Sequence, residues 1–105
     1  MATQTLSQKK VAILVADGFE QAELTEPKQA LDEAGAQTHI VSPNSDTVQG
    51  WHHFDKGDSF PVNVTLDSAN PDDYDALLLP GGVANPDQLR MNEKAVQFIQ
   101  AFFAA

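Results

Sequence analysis

Two glutamates, three positions apart, are the first residues in this chain that could do chemistry. The segment Asp17-Gly18-Phe19-Glu20-Gln21-Ala22-Glu23 follows an apolar run, and on a helical turn Glu20 and Glu23 share a side. A carboxyl held past the end of a buried strand is partly desolvated, which suits it to donate or share a proton. The same two acids also suit the positive end of a helix dipole, with no chemistry at all. Pro80-Gly81-Gly82 is the second candidate, because glycines let backbone N–H groups face an anion or a developing oxyanion. It reads equally as an ordinary turn between a strand and a helix. Neither a G-x-G-x-x-G fingerprint nor a P-loop is present. His52 and His53 are adjacent, so on a strand they point to opposite faces and cannot easily chelate one ion. His39 has no acid at ligand spacing, and neither a metal nor any other cofactor is expected.

The elements that must position these residues follow from periodicity and punctuation. VAILVA over 11–16 is continuously apolar, as a strand covered on both faces requires. A helical stretch over 20–34 carries Leu24, Leu31 and Ala34 on one stripe and ends at Gly35. Pro27 lies inside it and predicts a short turn over 20–26 before the main helix. Residues 37–42 form a second strand, completing a βαβ unit with parallel strands. Residues 48–54 and 60–65 flank Asp55-Lys56-Gly57-Asp58 and predict a hairpin hanging off the sheet. Residues 71–74 read as a tight turn and 76–79 as a third buried parallel strand. Asn85 with Pro86 fits the start of one helix, and Asn92 caps another over 93–103. Val96, Ile99, Phe102 and Phe103 form the apolar face of that last helix, and Phe98, Phe102 and Phe103 read as core. In such α/β folds ligands lie outside the carboxyl ends of the parallel strands, where both candidate segments fall.

Composition narrows the function classes. A chain of 105 residues holds one small domain over 1–105, or part of one, with a flexible tail expected at 1–10. The net charge of −9, from 6 basic and 15 acidic residues, argues against nucleic acid and anionic membrane as partners. With no cysteine, disulfides, thiolate metal sites and thiol nucleophiles are excluded within these residues. The amino-terminal apolar run is too short for a signal segment or a membrane span, which predicts a cytoplasmic location.

Taken together, VAILVADGFEQAELTEP, DKGDSFPVNVTL and YDALLLPGGVANPDQLRMNEKAVQFI resemble the PfpI/ThiJ superfamily in order and spacing. Its bacterial members are called intracellular proteases or general stress proteins, and a human relative is a Parkinson-associated deglycase-type protein. The resemblance implies an α/β, flavodoxin-like, doubly wound parallel sheet with a β-hairpin, assembled as a dimer or larger oligomer. It also implies a cysteine-dependent peptidase, glyoxalase or deglycase class. Glu23 matches the acid that hydrogen-bonds the nucleophilic thiol and Glu20 a second acid of the same turn; which of them would contact the thiol stays open. Gly82, beside Gly81, matches a backbone donor of the oxyanion site. Asp87 matches an acid that reaches a neighbouring subunit's histidine, although Asp is shorter than the Glu expected there. Asn63 stands where Asp is usual and reads as a surface change. Measured against the superfamily, the fold is incomplete, about three-fifths of a domain that continues into a strand and a cysteine-bearing elbow. The expectation is an amino-terminal part that is inactive alone, with the open edge beside 76–79 favouring self-association. The alternative is a non-catalytic half-domain that self-associates or binds a partner or a small anion.

Overall fold

The computed structural model describes residues 6–82 and 84–104, the side chains of 84–86 and 104 excepted. β1 (Lys10–Leu14) occupies the middle of the main sheet. Its apolar run is continuous because both faces are covered, and alternate residues serve different layers. Ala12 and Leu14 join Val41, Leu66, Leu89, Ala95 and Phe98 on one face, whereas Ile13 and Val15 join Phe19, Leu24, Ile40 and Val48 on the other. This two-sided burial is the doubly wound arrangement the sequence predicts. Of the ten residues read as a tail, Leu6 donates its N–H to Ala34 O at 2.9 Å and Lys10 already belongs to β1; residues 1–5 lie outside the described part.

After β1 the chain forms a two-residue strand, β2 (Phe19–Glu20), and then α1 (Ala22–Glu33). The turn expected over 20–26 is not formed. α1 is one helix with Pro27 inside it, and the ring removes only the donor that would have reached the Glu23 carbonyl. The helix start is fixed by tertiary contact: Gln21 makes no side-chain cap but donates its N–H to Trp51 O at 2.8 Å, while Gln21 O accepts from both Leu24 and Thr25. Its end is local. Gly35, at φ 95°, donates to Asp32 O, and Ala36 donates to Leu31 O, the paired bonds of a Schellman cap.

β3 (Gln37–Ser42) pairs parallel with β1 over the span the sequence predicts. β4 (Thr47–His52) and β5 (Asp55–Pro61) are the antiparallel hairpin, but its turn is His53-Phe54 and not 55–58. His53 takes φ 58°, and Gly50 on β4 stands against both Gly57 and Asp58 on β5, a bulge. Gly57 serves packing here, because a Cβ there would fall 2.2 Å from Gln21 Oε1. The hairpin does not hang free: β2 pairs parallel with β4, making a second sheet in the order β2-β4-β5. The segment 60–65 divides. β6 (Val64–Thr65) leaves the hairpin and joins the main sheet, whose order is β6-β3-β1-β7. Asn63 aids that junction, its Oδ1 accepting from Ile40 N at 2.6 Å, so it is more than a surface change.

A 3-10 turn over Pro71–Asp73 precedes β7 (Ala76–Leu78), parallel to β1 at the sheet edge. β7 is exposed to half-buried, and Leu79 is 46% exposed, so the expected buried third strand is an edge strand. α2 (Ala84–Arg90) and α3 (Glu93–Ala104) close the described chain. α2 begins before Asn85, whose side chain lies outside the described part. α3 is capped as expected, Asn92 Oδ1 accepting from Ala95 N at 3.0 Å. Replacing Asn92 by alanine is expected to lower stability by about 1 kcal/mol, read as a shift of the urea midpoint at unchanged slope. Phe98 is buried and packs edge-on against Tyr74 and tilted against Phe102, but Phe103 is 84% exposed, so only part of the expected aromatic face is core.

Two side chains outside the candidate site have shifted acidity. Burial pushes the Asp32 carboxyl up, but hydrogen bonds from Lys28 and Thr38 and the Lys28 charge outweigh it and hold the group below its ordinary value. Burial, and then the Asp73 carboxylate, push the Tyr74 phenol up.

Candidate functional site

The site lies where β1, β2, the hairpin and the Pro80-Gly81-Gly82 turn meet. β1 ends at Leu14 and its extension, Val15 and Ala16, stays buried, so Asp17 emerges at the carboxyl edge of the sheet. There Asp17 Oδ1 accepts from Gln49 N at 2.9 Å and from Asn44 Nδ2 at 3.0 Å, tying the β1 end to the hairpin. Gly18 donates its N–H to Gln49 O at 3.0 Å, and the buried Phe19 ring packs tilted against Phe60 at 5.8 Å.

Glu20 and Glu23 leave this corner in different directions. Both oxygens of Glu20 accept from one donor, the His53 N–H, at 3.2 and 3.3 Å. Glu23 Oε1 accepts from Gly81 N at 2.7 Å, a short charge-assisted bond spanning 58 positions of sequence. Thus one acid clasps the hairpin turn and the other clasps the glycine turn. Glu20 is half-buried and Glu23 is exposed, so of the two acids only Glu20 has the partly shielded setting expected past the strand. Gly81 O in turn accepts from Glu20 N at 2.8 Å, and Gly82 faces Phe19 as an isolated antiparallel bridge. Gly81 and the two glutamates are therefore one unit. Gly82 lines a cavity of about 550 Å³ with Asp17, Glu20, Trp51, Phe54 and Gln88.

Asp87 does not join them. It is exposed and pairs with Arg90 one turn along α2. The histidines also part company: His52 is exposed, His53 lines the cavity, and His39 contacts Tyr74 Oη through Nδ1 at 2.9 Å and Gln37 through Nε2 at 3.3 Å. No group of three metal-ligating side chains occurs among the described residues.

One residue of the site escaped sequence reasoning. Gln21 is 8% exposed, its Nε2 donates to Asp58 Oδ2 at 2.9 Å, and its Oε1 accepts from Asp58 N at 2.8 Å. This two-point bond locks the hairpin to the helix start, and so sets where His53 meets Glu20. A glutamine between two glutamates carries no signal of burial. Only Gly57, 36 positions further on, hints that something approaches the β5 backbone closely.

The profile of the DJ-1/PfpI family matches residues 9–105. The chain belongs to the DJ-1/PfpI family. Among its relatives, Deglycase PfpI of Pyrococcus furiosus is 42% identical over 94 residues, covering 90% of this chain and 54% of the relative. An uncharacterized protein of Staphylococcus epidermidis is 46% identical over 87 residues, covering 82% of this chain and 48% of the relative. A solved two-domain protein of Anabaena variabilis, with DJ-1/ThiJ/PfpI-like and ferritin-like domains, superposes with a TM-score of 0.83 at 28% identity. That match covers 92% of this chain and 27% of the solved one. The chain thus spans about half the length of the curated relatives it matches. Its α/β fold is the flavodoxin-like fold of these DJ-1/ThiJ-type structures. Among the described residues no helix is long and apolar enough to cross a membrane.

Proposed function

We propose that this chain carries the supporting groups of a DJ-1/PfpI site and turns over no substrate by itself. The observation that carries this reading is compositional: the acids and the glycine turn are assembled, but none of the 105 residues is a cysteine. The nucleophile in the cysteine-dependent chemistry that the resemblance implies is a thiolate, and a carboxylate is far too weak a nucleophile to replace it. Glu20 and Glu23 would then hold backbone geometry around the place where a thiol acts. The purified 105-residue chain, incubated with methylglyoxal or a peptide amide, is expected to show no consumption above buffer. Turnover that survives repurification and depends on Glu20 would sink the reading.

A second reading, self-association, is favoured by the edge of the main sheet. β7 ends that sheet among the described residues, and Leu79 and Phe103, which line one cavity, are 46 and 84% exposed. An open strand edge next to apolar side chains recruits other chains. We expect a dimer or larger oligomer by light scattering, and a monodisperse monomer at tens of micromolar would count against it. For the small-anion alternative the Gly81 N–H is not available, because the Glu23 carboxylate already takes it at 2.7 Å.

A further inference from the structure

The cavity beneath the hairpin turn has walls of consistent chemical character. Trp51 and Phe54 supply aromatic rings, Glu20 and Asp17 supply carboxylates, His53 supplies an imidazole, and among the described residues neither Lys nor Arg lines the cavity. The two acids differ in what already holds them. Asp17 Oδ1 accepts two bonds at 2.9 and 3.0 Å, whereas Glu20 shares one donor between both oxygens at 3.2 and 3.3 Å. A carboxylate offers about four lone-pair sites, so Glu20 keeps acceptor capacity beyond that single N–H. Phe54 is 94% exposed, an apolar ring held in water at the mouth of a cavity of about 550 Å³. Cavities of that size commonly take small organic molecules, with a few polar groups setting which kind.

We propose that this cavity binds an organic cation: an ammonium or guanidinium group seated at Glu20, on a flat apolar body laid against Trp51 and Phe54. Aromatic faces attract cations and carboxylates pair with them, so both kinds of wall select the same charge. An anion would meet two carboxylates, with the His53 imidazole but neither Lys nor Arg among the described residues beside them. The chain's net charge of −9 adds a field of the same sign. Binding of this kind needs no thiol, so the inference stands whether or not the chain turns over a substrate.

Trp51 is the sole tryptophan of the chain, which makes its emission a reporter placed in the cavity wall. The test titrates the intact chain at pH 8 and low ionic strength with three probes of matched shape: phenethylammonium, phenethyl alcohol and hydrocinnamate. Phenethylammonium is expected to give a saturable change with a Kd of roughly millimolar order, and hydrocinnamate to bind at least about tenfold more weakly. Glu20→Gln keeps an oxygen for the His53 N–H but removes the charge, and is expected to weaken phenethylammonium about fivefold while leaving the alcohol unchanged. Equal binding of cation and carboxylate overturns the proposal, as does the absence of any saturable change with the cation. Unchanged cation affinity in a folded Glu20→Gln variant overturns it too. Should that variant lose its circular dichroism signal, the charge-inverted pair on the unaltered chain decides alone.

Discussion

Replacing Gly82 by alanine is expected to destabilise the fold by about 2–4 kcal/mol, and to do so far more than alanine at Gly81. Gly82 holds φ at 130°, a region L side chains rarely adopt, and a Cβ there would lie 2.5 Å from Gly18 O. It would also lie 2.9 Å from Glu20 N and from Phe19 Cα, so every close neighbour is backbone and none can swing aside. Relief requires Gly82 to leave its bridge with Phe19, which parts the glycine turn from the end of β2. At Gly81 the nearest atom is Glu23 Oε1, at 2.5 Å, the far end of a flexible side chain. That carboxylate can rotate at the cost of one exposed hydrogen bond, about 1–2 kcal/mol. Urea unfolding of the two variants side by side measures the contrast. A Gly82→Ala protein as stable as the parent would mean that the β2–glycine contact does not hold the site together.

Gln21→Ala is expected to cost about 2–3 kcal/mol and to loosen the hairpin more than the rest of the molecule. The substitution deletes both bonds to Asp58 and leaves the Asp58 N–H, now facing a cavity, without its acceptor. The loss propagates to the site, because the β4–β5 register places His53 opposite Glu20. Amide exchange should therefore quicken in 47–61 while β1 and β3 keep their protection, as local opening of one cooperative unit predicts. Gln21→Glu is expected to be worse than alanine, since it sets a second carboxylate against Asp58 in a part-buried setting. Uniform loss of protection along the whole chain, or none in the hairpin, would show that Gln21 does not anchor it.

How much of this was legible beforehand depends on the range of the interaction involved. β3 lies at the bounds its sequence predicts, and the Gly35 and Asn92 caps form as predicted, because each rests on neighbours within a few residues. The hairpin existed as expected but turned elsewhere. DKGD has turn composition, yet its glycine is needed where Gln21 approaches β5, and Gln21 is 37 positions away from the Asp58 it binds. The apolar run after Asp75 reads as buried from composition alone. Its exposure depends on its place at the end of the sheet order, which no local pattern encodes. Phe103 and Phe98 share a residue type and a helix, but only Phe98 faces Tyr74 and the sheet.

The same division holds at the site. Residue identity and order suffice for the two glutamates, the paired glycines, the family they point to and the absence of any thiol. Tertiary structure alone decided that Glu23 grips the glycine turn while Glu20 grips the hairpin, that Asp87 stays apart with Arg90, and that Gln21 belongs to the site. Spacing along a turn says which side chains share a side, but a carboxylate bonds whichever donor the fold brings within about 3 Å. Here those donors, Gly81 N and His53 N, come from 58 and 33 positions away, and only the closed chain delivers them.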